Sequence, residues 1–356
     1  MYHKDHNKNR TTMKKFFKMK WFRFVGIACI VVSCTNEVTY EAPVFVNKQP
    51  KEIRVLNDEY IFRYGSSPMV VDSLLITSTG DSENYVAIFN NCTGKLIKAF
   101  GRKGPGPNEL GRPTTFSVDK LNRLLYVCDW GKQALLRYDL RKMFEETTPE
   151  YESIQMSDDF MRSSQMCFLK DSLFYAPAGK EGRMLVGLPS SVLSVLKSET
   201  ADKNKFPTKE DWYCYMDASS VKTVRPDGRY LASASSLGGI LEIFDLNSME
   251  RVMLKHFYEP IFEQKGHVFR PTPETIGGFM YLAATDKYLY ATLQGKVNPT
   301  SLPTSICKFD WKGNPIDRYD CGKYAITSFT VTDDDETIYA IAIGEEGEQI
   351  LLDIKL

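Results

Sequence analysis

Residues able to do chemistry are sparse in this chain and fall mostly between apolar runs. Gly101, Gly104 and Gly106 lie at a spacing that invites a phosphate-binding loop. Such a loop needs Gly-Lys-Ser/Thr opening a helix, so that backbone amides and the helix dipole meet the anion. Here Pro105 and Pro107 remove two amide donors and nothing helical follows, which leaves an inter-repeat loop with Arg102 and Lys103 on an anion-attracting rim. Asp129-Trp130-Gly131 closes an apolar run, offering an acceptor beside a flat ring, which is sugar- or peptide-binding chemistry. The alternative is a plain turn with Trp130 packed between repeats. Arg225 and Arg270 each sit one residue from a Pro and are candidates for a central axis, with surface exposure as the alternative. Beyond position 34 the histidines are His256 and His267, so a Ser-His-Asp hydrolase or a His-rich metal site is hard to build. His267, in a loop, is the one candidate for a lone base. Asp333 to Glu336 lacks the alternation and the Gly of a calcium loop and reads as a turn, as does Asp81 to Asn84. No cofactor and no metal site is expected.

These residues need elements to carry them, and composition says which. The chain has 356 residues, 43% hydrophobic and 12% aromatic, with 21 Phe and 19 Tyr, which favours strands. Formal net charge is zero, but residues 1–34 hold eight Lys or Arg against one Asp. The remainder carries 37 basic and 44 acidic residues, a net −7, which disfavours nucleic acid as a partner.

One pattern recurs from Lys51 onward. A polar turn leads into an apolar strand, and a second strand ends in an aromatic or Leu followed by Asp or Asn. The anchors are Phe89, Tyr138, Phe244, Phe309 and Leu352, with gaps of 49, 106, 65 and 43 residues. The gap of 106 is twice 53 and calls for a missing unit near 185, where Arg183 to Leu188 follows Leu173 to Ala176. Six units of several short strands each predict an all-β fold, a six-bladed β-propeller spanning 51–356. The strand-like residues 51–58 are expected to close the ring as the outer strand of the last blade. Residues 141–165 and 189–215 are the longest irregular stretches and are expected to decorate one face. Within them, 141–146 reads as a helical turn and 190–197 as a short helix or a strand. Trp212 to Tyr215 reads as blade packing.

At the N-terminus the basic start precedes nine apolar residues, 24–32, too few to cross a bilayer of roughly 30 Å as a helix. That is the pattern of a secretory signal. It closes on Val31-Val32-Ser33-Cys34, similar to a bacterial lipobox, with Val where Leu and a small residue are usual. Residues 1–34 are therefore expected to be a lipoprotein-type signal, Cys34 the lipidated residue and 35–50 a flexible stalk tethering the protein to a membrane surface. Six further cysteines, Cys92, Cys128, Cys167, Cys214, Cys307 and Cys321, lack metal-ligand spacing and read mainly as thiols, with Cys307–Cys321 the one pairing considered.

The joint after the first unit, Phe100 to Pro113, packs four Gly and three Pro into fourteen residues. Its Phe-Gly-Arg-Lys-Gly-Pro-Gly-Pro-Asn-Glu start resembles the "fGrkGxGPxE" signature of TolB-like, NHL-related six-bladed propellers, common among lipoproteins of Bacteroidota. The resemblance covers roughly residues 50–356 and implies fold more than activity. Together these readings imply a monomeric, outer-membrane-anchored propeller without catalytic activity that binds a protein, small molecule or glycan. A calcium-dependent lactonase-like enzyme and an accessory subunit of a surface glycan-uptake complex are the competing readings.

Overall fold

The computed structural model describes residues 38–80, 83–145, 149–161, 166–170, 173–178, 183–196, 203–266, 268–297 and 301–356. In chain order the strands β1 (Val46–Lys48) and β2 (Glu52–Asn57) precede the repeats. Blade I is β3 (Ser66–Val71), β4 (Leu74–Ser78), β5 (Asn84–Asn90), β6 (Leu96–Lys103) and the short β7 (Glu109–Leu110). Blade II is β8 (Pro113–Asp119), β9 (Leu124–Asp129), β10 (Ala134–Asp139) and β11 (Glu152–Gln155). A helical turn, α1 (Asp158–Met161), leads to blade III: β12 (Cys167–Phe168), β13 (Phe174–Ala178), β14 (Arg183–Leu188) and β15 (Ser191–Val195). Helix α2 (Lys209–Ala218) precedes blade IV: β16 (Ser220–Val224), β17 (Tyr230–Ser235), β18 (Ile240–Asp245) and β19 (Glu250–His256). A separate hairpin, β20 (Phe262–Lys265) and β21 (Val268–Pro271), comes next. Blade V is β22 (Phe279–Ala284), β23 (Tyr288–Leu293), β24 (Ser305–Asp310) and β25 (Pro315–Asp320). Blade VI is β26 (Ala325–Val331), β27 (Thr337–Ile343) and β28 (Gln349–Lys355), completed by β2.

The anchors Phe89, Tyr138, Phe244, Phe309 and Leu352 all fall on the third strand of a blade, and the missing unit is blade III. The central strands read as unbroken apolar runs because both faces of each blade are buried. On blade I, Ile76 and Ile88 pack towards Leu125 and Leu136 of blade II. Their neighbours Leu75 and Phe89 point the other way, to Tyr339 and Ile341 of blade VI. Six such clusters form the core, one at each blade junction. The ring closes as the sequence implies: β2 pairs antiparallel with β28, Ile53 opposite Ile354 and Val55 opposite Leu352.

Several expectations are corrected. Residues 38–50 are no free stalk. β1 pairs in parallel with β25 as a fifth strand of blade V, and Phe45 meets Phe309 edge-on at 5.2 Å. The outermost strand of a blade leaves a row of unpaired amides and carbonyls, and β1 covers it. The Gly-Pro joint is partly strand: β6 runs through Arg102 and Lys103, and β7 pairs with it in parallel before the chain enters blade II. Trp212 to Tyr215 lie on α2, not in a blade, although Trp212 and Tyr215 are buried beside blade IV. α2 starts at a capping box in which Thr208 and Asp211 satisfy each other's amides. Of the segment 190–197, Ser191–Val195 forms strand β15, one of the two expected forms, and residue 197 lies outside the described residues. Cys307 and Cys321 are both buried free thiols, not a disulfide. No helix among the described residues is long and apolar enough to cross a membrane.

Candidate functional site: the mouth of the ring and the row beneath helix α2

Strand alternation gives the ring two unlike ends. Turns between first and second, and third and fourth, strands emerge on one end, the hairpin face. Turns between second and third strands, and every blade-to-blade passage, emerge on the other, the connection face. The Gly-Pro loop, the turn after Asp129, α2 and the β20–β21 hairpin all lie on the connection face. Arg225 lies in the β16–β17 turn on the hairpin face, apart from the other candidates. The turn at 140–151 is also on that face, so the irregular stretches do not all share one end.

The structure gives several candidates architectural work. Asp129 is fully buried. One carboxylate oxygen accepts from the amides of Arg112 and Gly131 at 2.8 and 2.9 Å and from Lys132 at 3.3 Å, the other from Gly111 at 2.8 Å. It is the knot tying the Gly-Pro joint to blade II, with no oxygen turned to a ligand. A Cβ on Gly131 would come within 2.8 Å of the Gly111 backbone, so the two loops approach as only glycines allow. Trp130 is half-buried, with the Arg112 guanidinium 5.2 Å from its ring centre. Lys132 clasps the carbonyls of Gly106 and Pro107 at 2.8 and 3.3 Å. Arg225 pairs with Asp227 at 3.2 Å and lies over Tyr230 and Trp311, joining blades IV and V. Arg102, Lys103 and Arg270 are exposed. His267 and Cys34 lie outside the described residues.

The chemistry missed by sequence reasoning lies between blades III and IV. The innermost strands β3, β8, β12, β16, β22 and β26 surround the axis. Lys222 on β16 stands opposite Ser233, and Ser233 opposite Glu242, so the three share one face of blade IV. Glu242 and Ser233 have no exposed surface. Glu242 accepts from the Trp212 indole at 2.9 Å and from Arg251 at 2.8 Å, a closed triad of helix and blade. Lys222 donates to Ser220 Oγ at 2.7 Å and to the Met216 carbonyl at 3.2 Å. Burial brings its pKa from 10.5 down to about 8, opposed by the nearby Asp217, Cys167 and Glu242. Burial also raises Asp217, against the pull of Lys222. Cys167, from blade III, is pushed up to about 11 by burial, against the pull of Lys222, so its sulfur is a thiol and a poor nucleophile at neutral pH. Across the axis, burial raises Tyr281 of blade V, against the pull of Ser67 of blade I. Two buried polar atoms, Tyr175 Oη and Asp217 Oδ1, have no hydrogen-bond partner. Lys222 offsets Asp217, and Arg251 offsets Glu242, leaving a site that is polar but balanced in charge.

A lysine in the apolar Ser220–Val224 segment was the one available signal. Its strand becomes innermost only once the ring closes. Among the described residues no three of His, Cys, Asp or Glu are grouped to hold a metal. An open cleft of about 640 Å³ flanks blade II, lined by both signs of charge, including Arg137, Asp139, Arg141 and Glu152.

The Lys222 environment predicts a pH dependence. Its pKa is depressed by folding, so between pH 8 and 10.5 the unfolded chain holds more protons and stability rises with pH, at most about 1.4 kcal/mol per unit. Urea unfolding of wild type and Lys222→Met at pH 8 and pH 10 should show wild type gaining on the variant. Parallel behaviour would show that Lys222 titrates normally.

A search of curated protein sequences returned no match. Among solved structures, one described as U3-55K superposes with a TM-score of 0.56 at 11% identity, covering 86% of this chain and 99% of that one. The WD40 repeats of RRP9 give 0.56 at 11% identity, covering 87% and 99%. At that identity the likeness is one of propeller fold alone. The family model described as TolB-like 6-blade propeller-like matches residues 44–334, and the chain belongs to that family.

Proposed function

We propose that the protein is a membrane-tethered binding propeller that engages a ligand or protein partner through its connection face. One observation carries the reading. The longest blade-to-blade passages, those holding α2 and the β20–β21 hairpin, rise on the connection face, beside a balanced polar row with unspent hydrogen-bonding groups. Loops on a rigid ring are where a scaffold places recognition. The protonated Cys167 thiol and the committed Asp129 carboxylate favour binding over catalysis. Anchoring through Cys34 at the outer membrane, as a monomer, is part of the same proposal and rests on the sequence of residues 24–34.

The test uses the tagged full chain, cross-linked in membranes and purified. A partner held at the connection face is lost on Lys222→Glu and kept on Arg225→Ala, which alters the opposite end. Equal retention by both variants would refute the assignment of the face. The anchor has its own test. Cys34→Ser should abolish acyl-chain incorporation and move the protein from the membrane pellet to the soluble fraction. An unchanged pellet would sink the lipoprotein reading.

A further inference from the structure

The described chain begins at the rim between blades IV and V. The Glu41 amide donates to the carbonyl of His256 at 3.0 Å, and the Tyr40 ring meets His256 edge-on at 5.5 Å. His256 ends β19, so this contact is at the connection-face end of blade IV. Thr35, Asn36 and Glu37 alone separate Cys34 from Val38. Four fully extended peptide steps reach at most about 14 Å.

We propose that the connection-face rim between blades IV and V rests on the bilayer surface, with the mouth of the ring open beside it. This rests on the lipoprotein reading of Cys34, since an acyl chain there leaves the rim no longer leash. The rim suits a lipid surface. Val268 on the β20–β21 hairpin and Val297 in the β23–β24 turn are 52% and 60% exposed. Phe262 and Phe269 are half-buried beneath the hairpin, stacked around Tyr215. Lys265, Arg270 and Lys296 are exposed among them. The acids on the same rim are Glu41, Glu263 and Glu274, all exposed, and Glu259, which is paired with Lys205 at 3.3 Å. Apolar side chains edged by cations suit the interface, where headgroup phosphates meet acyl chains.

The full lipidated chain is reconstituted in vesicles of phosphatidylethanolamine and phosphatidylglycerol. Lysines are acylated with a membrane-impermeant reagent and located by mass spectrometry, with the full Cys34→Ser chain in solution as reference. Lys265 and Lys296 should react several-fold more slowly on vesicles than in the reference. Lys312 and Lys142, on the hairpin face, should not change. Vesicle-bound protein with uniform labelling overturns the rim contact and leaves the anchor standing. Wild type that fails to associate with vesicles overturns the anchor and the rim contact together.

Discussion

Deleting residues 52–57 is expected to leave a chain that no longer unfolds in one cooperative transition. β2 is the only outer strand of blade VI among the described residues and comes from the opposite end of the sequence. Its ladder holds five residue pairs with β28. Arg54 bonds the Asp353 carboxylate at 2.7 Å and the Cys92 carbonyl at 3.0 Å, and the Asn57 amide bonds the Gly94 carbonyl at 2.9 Å. The strand thereby ties blade VI to the β5–β6 turn of blade I. At about 1 kcal/mol net for each of roughly five ladder bonds and the three side-chain bonds, plus about 2 kcal/mol for burying Leu56, its removal costs on the order of 10 kcal/mol. A domain's whole stability is commonly about 5–15 kcal/mol. Asp353, only 3% exposed, would lose its arginine and keep Lys355 at 3.2 Å. Circular dichroism and fluorescence during urea unfolding should give non-coincident curves. A single transition within about 1 kcal/mol of wild type would show that the ring does not depend on this closure.

The second large effect is at Asp129. Asp129→Ala removes the acceptor for four backbone amides at the blade I–II joint. A buried donor left without a partner costs about 1–3 kcal/mol, and some of these amides can rehydrate, so a loss of about 4 kcal/mol is expected. Asp129→Asn should cost about half as much. Its carbonyl can keep the bonds to Arg112, Gly131 and Lys132, but its amide nitrogen faces the Gly111 amide. Thermal and urea unfolding of the two variants measure the difference. If Asp129→Ala retained wild-type stability, the residue would not be the knot described, and its place in a ligand site would reopen.

Much of the architecture was legible in the chain. Residues facing two buried junctions must be apolar on both sides, which writes unbroken runs such as Val86 to Phe89 and Ile338 to Ile341. Their recurrence with an Asp or Asn marks the third strand of five blades, and a gap twice the repeat length places blade III. A last blade one strand short calls for the strand at 52–57. The Gly-Pro joint was legible as a passage between blades because proline denies amides to a phosphate. Its pairing with β7 was not, since parallel strands so short leave no pattern. Nor was the docking of residues 38–48, where three residues of β1 decide what a stalk prediction misses.

Chemistry was the harder part. Asp129 read as a recognition residue because a carboxylate after a strand looks the same in sequence whether it faces solvent or four amides. Arg225 read as axial, yet strand direction puts it on the opposite end, paired with Asp227 and stacked on rings from two blades. Lys222, Tyr281 and Ser67 drew no notice, and Cys167 read only as a thiol, for the four come from four different blades spread over more than half the chain. By itself, then, the sequence determined the repeat, the number of blades, the two-sided core and the strand that closes the ring. All of these follow from local periodicity and from the need to bury both faces of every sheet. Only the tertiary structure decided which polar groups meet beneath α2 and which face the loops share. Those outcomes depend on strand direction and on which strand lies innermost, and both are set by closing the ring.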